Sequence, residues 1–136
     1  MGILDSLRPT VSIVATPNEF RFIGKEGEDC VRTLIRLNGD RKILGVGDAA
    51  LDEAEGGTLI SLFDRPSNAS KNWFDADAFT RFCKYNVILA SMGSLLLPTV
   101  RFTGARKFRT LFEGREAEML APPLRAAGVT RLEFED

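Results

Sequence analysis

The order of secondary-structure signals constrains the fold of this chain more than any other feature. Alternating apolar and polar residues predict strands at residues 11–15, 19–23, 30–37 and 43–46. The Asn38-Gly39 pair between the last two is typical of a hairpin turn. The first 47 residues are therefore predicted to form an antiparallel meander.

The rest of the chain alternates between helices and strands. Asp75 is a good N-cap for a long helix, whereas Pro122-Pro123 should interrupt a later one, because proline is tolerated only in a first turn. A chain that begins with several strands and continues with alternating helices and strands favours an α/β fold with one mixed sheet. The predicted elements are a helix at 48–54 capped by Asp48, a strand at 58–63, a helix from 75 to about 90, a strand at 97–103, helices at 108–120 and 123–127, and a strand at 130–134.

Composition narrows the possible classes of function. A chain of 136 residues suits one domain, and 44% apolar residues with ten Phe argue against disorder. The net charge of −1 supplies no general attraction to nucleic acid. Without histidine, and with Cys30 and Cys83 in apolar patterns, we expect no zinc site and two buried free thiols, which suit a reducing cytosol. The apolar segment 87–100 is too short to span a membrane.

Several segments resemble those of MreB-type bacterial actins, and they occur in the same order. In residues 42–50 a strand ends in Val46-Gly47 and opens a short helix, and in residues 74–82 an Asp precedes an apolar helix. The other similar segments are Pro98-Thr99-Val100, which matches the proline that opens the next strand, Arg115-Glu116-Ala117-Glu118, which resembles the start of the Glu-Arg-Arg helix, and residues 127–132, which resemble the Ala-Gly-Ala turn and its strand.

The resemblance implies an actin-like, ribonuclease H-like half. Residues 1–136 would form a single first domain with a small inserted segment near 40–65 and no second domain. Its mixed five-stranded sheet would have strands 1–3 antiparallel, with helices packed on it. An unrelated α/β domain with the same element order is the alternative.

The resemblance also places a degenerate phosphate loop between the first two strands. The family's loop carries an Asp and a Gly there, and the matching positions here are Ile13, Ala15 and Thr16. Ile cannot hold metal-bound water, Ala hinders the approach of phosphate, and Pro17 removes an N–H. We therefore expect no ATPase or nuclease activity, no metal and no cofactor. Glu116, near the family's water-orienting Glu, is predicted to be a solvated helix residue.

Three sets of residues are candidates for binding surfaces. An apolar cluster could contact a membrane or a partner, or could pack under a loop. Two aromatic residues before the long helix could form an interface, or could staple the helix start. A basic run interleaved with Phe could bind anions or nucleic acid, or could be a solvated face. The residues are Ile3, Leu4, Leu7, Leu95 and Leu96 for the first set, Trp73 and Phe74 for the second, and Arg101, Arg106, Lys107 and Arg109 for the third.

These expectations combine into a functional prediction. The chain should be a non-catalytic, cytoplasmic accessory protein of the actin-like cytoskeleton, binding a protein partner, itself or the inner membrane face. The family's C-terminal helix is absent from the sequence, so an apolar sheet surface is expected to be covered by a local element or a second chain. The alternatives are a residual nucleotide-binding module completed by another chain, and a nucleic-acid-binding domain using residues 101–109.

Overall fold

The computed structural model, which describes residues 9–25, 27–65, 73–91 and 96–135, places the strands in two sheets. The strands are β1 (Thr10–Ala15), β2 (Glu19–Gly24), β3 (Gly27–Arg32), β4 (Leu34–Leu37), β5 (Ile43–Val46), β6 (Thr58–Ser61), β7 (Thr99–Thr103) and β8 (Arg131–Glu135). The helices are α1 (Ala76–Ala90) and α2 (Glu116–Ala126), with 3-10 turns at Gly47–Leu51, Glu53–Glu55 and Ala105–Phe108.

The larger sheet has five strands in the order β3-β2-β1-β7-β8. Strands β1, β2 and β3 are antiparallel neighbours, while β7 and β8 run parallel to β1. The predicted α/β class, with a mixed five-stranded sheet and strands 1–3 antiparallel, is confirmed. The smaller sheet, β5-β4-β6, comes from the segment between β3 and α1.

The core lies between one face of the larger sheet and the two helices. Phe20 on β2 is at its centre, with ring centroids 5.6 Å from Phe82 and 5.7 Å from Phe102. On the side of α1 that faces the sheet, Phe79, Phe82, Cys83 and Val87 are buried and Ala90 is half-buried. The fully buried members of the core include Val11, Ile13, Ala15, Phe20, Phe79, Phe82, Cys83, Val100, Phe102, Phe108, Leu120 and Leu124.

The other face of the larger sheet is polar. Arg21 on β2 pairs with Glu28 on β3 at 2.7 Å, and Arg101 on β7 lies 3.6 Å from Glu133 on β8. Parallel strands covered on both faces are usually continuously apolar, whereas β7 and β8 alternate apolar and polar residues. The expectation of an apolar sheet surface that a local element or a second chain must cover is therefore wrong for the described strands, because this face is polar.

The predicted strand 30–37 is wrong, because the chain changes sheets at Thr33. The Thr33 N–H donates to the Asn18 carbonyl at 3.1 Å and its hydroxyl donates to Pro17 at 2.6 Å, whereas its own carbonyl accepts from Leu62. These bonds tie one residue to both sheets. The meander therefore ends with β3, and β4 starts the second sheet.

Two predicted helix boundaries are also wrong. Asp48 does not cap a helix at 48–54, since it pairs with Arg32 at 3.2 Å, and Asp52 caps the second 3-10 turn instead. Helix α2 continues through Pro122-Pro123 rather than breaking there. Burial of Leu120 and Leu124 on its inner face compensates for the two missing N–H groups.

Candidate functional site

The loop between β1 and β2 lies where the parallel strands end, the usual ligand-binding edge of such sheets. The Thr16 N–H donates to the Glu19 carbonyl at 2.9 Å. The Thr16 hydroxyl accepts from the N–H groups of Asn18 (3.3 Å) and Glu19 (3.1 Å). Pro17 has no N–H. Every backbone N–H of residues 16–19 is therefore bonded within the loop, and none is free to bind phosphate.

The strand before this loop carries no acid. Ile13 and Ala15 are fully buried in the core, and the residues between and before them, Ser12 and Val14, belong to the polar face. Gly104, which follows β7, closes the edge further, because a Cβ there would lie 2.3 Å from the Ala15 carbonyl oxygen. The backbones of Gly104 and Ala15 are therefore in close contact at the end of β1.

Glu116 is not the solvated helix residue that the sequence predicts. It is the first residue of α2, which begins at the same edge of the sheet, and its side chain is only 12% exposed. Its Oε1 lies 3.8 Å from the Arg109 Nε, and its Oε2 is buried without a hydrogen-bond partner in the described part of the chain. The sequence pattern does not reveal that this carboxylate is buried.

The aromatic residues before α1 are structural. Asp75 caps the helix by accepting from the Ala78 N–H at 3.0 Å, and Phe74 packs on Phe79 with ring centroids 5.6 Å apart. This arrangement is a hydrophobic staple. Phe74 is buried and is not available as an interface residue, while the half-buried Trp73 stacks on Phe112 at 5.3 Å.

Asp75 also has a salt bridge with Arg41. Burial by itself would raise the pKa of the Asp75 carboxyl, but the hydrogen bond from Ala78 and the Arg41 guanidinium together lower it. The carboxylate form is therefore favoured in the folded protein. Its salt bridge with Arg41 joins the β4–β5 loop to the start of α1.

The basic run does not form an open basic surface. Arg101 lies 3.6 Å from Glu133 and 3.8 Å from Glu135. Arg109 is the neighbour of Glu116, while Arg106 and Lys107 are exposed on a 3-10 turn. The interleaved rings, Phe102 and Phe108, are fully buried, so neither can stack on a base.

Most of the candidates for membrane contact lie outside the described residues. Ile3, Leu4, Leu7 and Leu95 lie outside the described residues, and Leu96 is half-buried. Leu97 precedes β7 instead of belonging to it, and is 56% exposed. None of the described helices is both long enough and apolar enough to cross a bilayer.

A second apolar stripe lies on a side of α1 that does not enter the core, and it was not predicted from the sequence. Tyr85, Ile88 and Leu89 are 52%, 53% and 41% exposed. Their spacing of three and four residues places them on one helix face. The sequence contains this signal, because α1 has apolar residues on two sides, but these three residues were not predicted as a binding surface.

The two cysteines differ. Cys83 is buried, as predicted, and burial raises the pKa of its thiol. Cys30 is exposed, contrary to the prediction, because the alternation of β3 places it opposite Arg21 on the polar face. Among the described residues, no three His, Cys, Asp or Glu side chains are grouped to hold a metal ion.

Comparisons with known proteins establish the fold of this chain and nothing more specific. No protein-family model matches the sequence, and no curated protein matches it. MreB5 of Spiroplasma citri, in crystal structures bound to AMPPNP or to ADP, matches 95% of this chain with a TM-score of 0.65 and 16% identity. A non-polymerising mutant of MamK bound to AMPPNP matches 93% with a TM-score of 0.55 and 8% identity.

These similarities confirm the predicted actin-like fold. At such low sequence identities they are informative about the fold alone. The chain spans 38% of the MreB5 chain and 40% of the MamK chain, less than half of either.

Proposed function

We propose that this chain is a non-catalytic protein of the actin-like class, which acts in the cytoplasm by binding another protein of the cytoskeleton. The observation that carries the proposal is the β1–β2 loop. Its amides are all bonded internally through Thr16, and Ile13 and Ala15 stand where the resemblance places the Asp and Gly of a phosphate loop. A loop whose N–H groups are all bonded internally offers none of them to a nucleotide's phosphates, and this supports a role without nucleotide binding.

The exposed stripe on α1 supports the binding role. Tyr85, Ile88 and Leu89 form a contiguous apolar helix face, and exposed apolar clusters commonly mark protein contacts. An amphipathic or apolar surface of a partner could cover it. Contact of the N-terminal residues and Leu95-Leu96 with the inner membrane face remains part of the proposal as a second mode of attachment.

Calorimetric titration with Mg-ATP tests the loss of nucleotide binding. We expect no heat of binding up to millimolar nucleotide, while a full-length actin-like protein in the same buffer serves as the positive control. Saturable binding would contradict the proposal and would make the closed loop an inactive conformation.

Pull-down with a full-length bacterial actin-like protein tests the binding role. We expect Ile88→Lys to abolish capture, because it places a charge in the α1 stripe. Leu59→Lys, at an exposed apolar position on β6, is the matched control and should leave capture unchanged. Equal capture by both variants would exclude the α1 stripe. Flotation with anionic liposomes separates membrane attachment from protein binding.

A residual nucleotide-binding module completed by another chain is the second candidate, and Glu116 favours it. A buried, unpartnered carboxylate oxygen at the ligand-binding edge costs stability and can be retained for a ligand. If it serves one, Mg-ATP should bind only at protein concentrations at which the chain associates, and Glu116→Gln should abolish that binding. ATP binding that is independent of protein concentration would exclude this candidate.

A further inference from the structure

Strand β8 is an open edge of the larger sheet in the described part of the chain, because it pairs there with β7 alone. The Gly104 N–H, directly after β7, donates to the Glu135 carbonyl of β8 at 3.3 Å. Backbone groups alternate in direction along a strand, so the groups of Glu133 also face β7, while the N–H groups of Leu132 and Phe134 point away from the sheet. An open edge of this kind is a template for pairing with another strand.

The sequence of β8 is complementary to itself in the antiparallel direction. When Glu133 of one copy is opposite Glu133 of another, Arg131 is opposite Glu135, and Leu132 is opposite Phe134. In this register Leu132 is opposite Phe134, and the backbone groups of both point outward, so the two residues can exchange hydrogen bonds between the copies. The same register creates two ion pairs on the polar face and two apolar pairs on the core face, where Leu132 and Phe134 are only half-buried.

The juxtaposition of two Glu133 side chains is the unfavourable element of this register. Each carboxylate, however, already has two cationic neighbours in its own chain, the Arg131 Nε at 3.2 Å and the Arg101 Nε at 3.6 Å. These guanidinium groups offset the repulsion across the pair.

The opposite edge of the sheet is less accessible. The 3-10 turn Gly47–Leu51 packs on β3, and a Cβ on Gly47 would lie 2.3 Å from the Val31 side chain. Arg32 on β3 is already paired with Asp48 of that turn. A partner strand would have to displace these contacts on β3, whereas no strand pairs with the outer edge of β8 in the described residues.

We propose that a second copy of this chain binds along β8, so that two five-stranded sheets join into one continuous sheet around a two-fold axis. The inference deepens the proposed binding role by naming one partner and its surface. The axis passes between the two Glu133 residues, and each chain contributes the same edge, as a two-fold interface requires.

Charge reversal tests the register. Arg131→Glu places two like-charged pairs in the dimer, and Glu135→Arg does the same with the opposite sign. In sedimentation equilibrium over a wide concentration range, we expect each single variant to dissociate at least about tenfold more readily than the unaltered chain. Arg21→Glu, which breaks an ion pair elsewhere on the same face, is the matched control and should dimerise normally.

Mixing the two single variants gives the decisive result. A heterodimer of Arg131→Glu with Glu135→Arg has complementary charges at both positions, so dimers should reappear in an equimolar mixture. Each variant's circular dichroism spectrum and thermal transition establish that it is folded. Monomers in the mixture, or a monomeric unaltered chain at all concentrations, would overturn the β8 dimer. Neither result bears on the Mg-ATP test of the proposed function, which uses a different site.

Discussion

At the scale of single residues, Thr16 determines the closure of the β1–β2 loop. Its hydroxyl accepts from two backbone N–H groups and donates to the Glu19 carbonyl at 3.2 Å. Ile13, Ala15 and Pro17 could be recognised from the sequence as unsuitable for a phosphate loop. Thr16 could not be recognised as the residue that bonds the remaining amides, because a threonine in a loop has many possible partners and the folded turn determines which of them it bonds.

We expect Thr16→Val to destabilise the protein by about 1 kcal/mol, because it removes these bonds at an exposed turn where water replaces them in part. Thr16→Ser retains the hydroxyl and serves as the control, with little change expected. Urea unfolding measures both free energies. Equal stability of the two variants would show that the hydroxyl does not hold the loop.

Asp75 leads to a prediction about pH. Its folded-state pKa is lowered, so its contribution to stability is fully present above the unfolded pKa of about 3.9 and is lost as the pH falls through the folded value. The free energy of unfolding of the unaltered chain should therefore approach that of Asp75→Asn as the pH falls below about 4. Urea unfolding from pH 7 to pH 3 measures this difference. A difference that stays constant over that range would contradict the assigned role of the carboxylate.

At the scale of elements, the sequence predicted most strands and the long helix correctly, and two of the boundaries it missed show why. The apolar alternation of residues 30–37 is continuous, and the change of sheet at Thr33 depends on bonds to Pro17, Asn18 and Leu62, which are distant in sequence. The predicted break at the two prolines of α2 did not take into account burial of the helix's inner face. In both cases tertiary contacts overrode a correct local signal.

The prolines of α2 provide a direct test at this scale. Pro122 is exposed, so Pro122→Ala restores an N–H for the Glu118 carbonyl without loss of packing, and we expect a gain of about 1–3 kcal/mol in the free energy of unfolding. Pro123 is buried, so Pro123→Ala should give a smaller gain because it also loses contacts. Chemical denaturation distinguishes the two. A loss of stability in Pro122→Ala would mean that the helix backbone is adapted to the ring.

At the scale of the whole molecule, the polar face of the larger sheet means that the described strands need no helix packed on that face. Strands β2, β7 and β8 alternate, so that their apolar residues enter the core and their charged residues pair across strands on the other face. The sequence contained this information, since strands of a parallel sheet covered on both faces would be uniformly apolar. The resemblance led instead to the expectation that a helix is missing from this face.

The two faces can be compared with one substitution at two positions of β1. Val11 is fully buried in the core, whereas Val14 lies half-buried on the polar face. A threonine hydroxyl without a partner is costly only where water is excluded, so Val11→Thr should lower the free energy of unfolding by about 2 kcal/mol and Val14→Thr by less than about 0.5 kcal/mol. Both are measured by urea unfolding at protein concentrations that keep the chain monomeric. If Val14→Thr costs as much as Val11→Thr, the polar face is covered in solution. If it does not, solvent covers that face, and the β8 dimer, which joins sheets edge to edge, leaves it exposed.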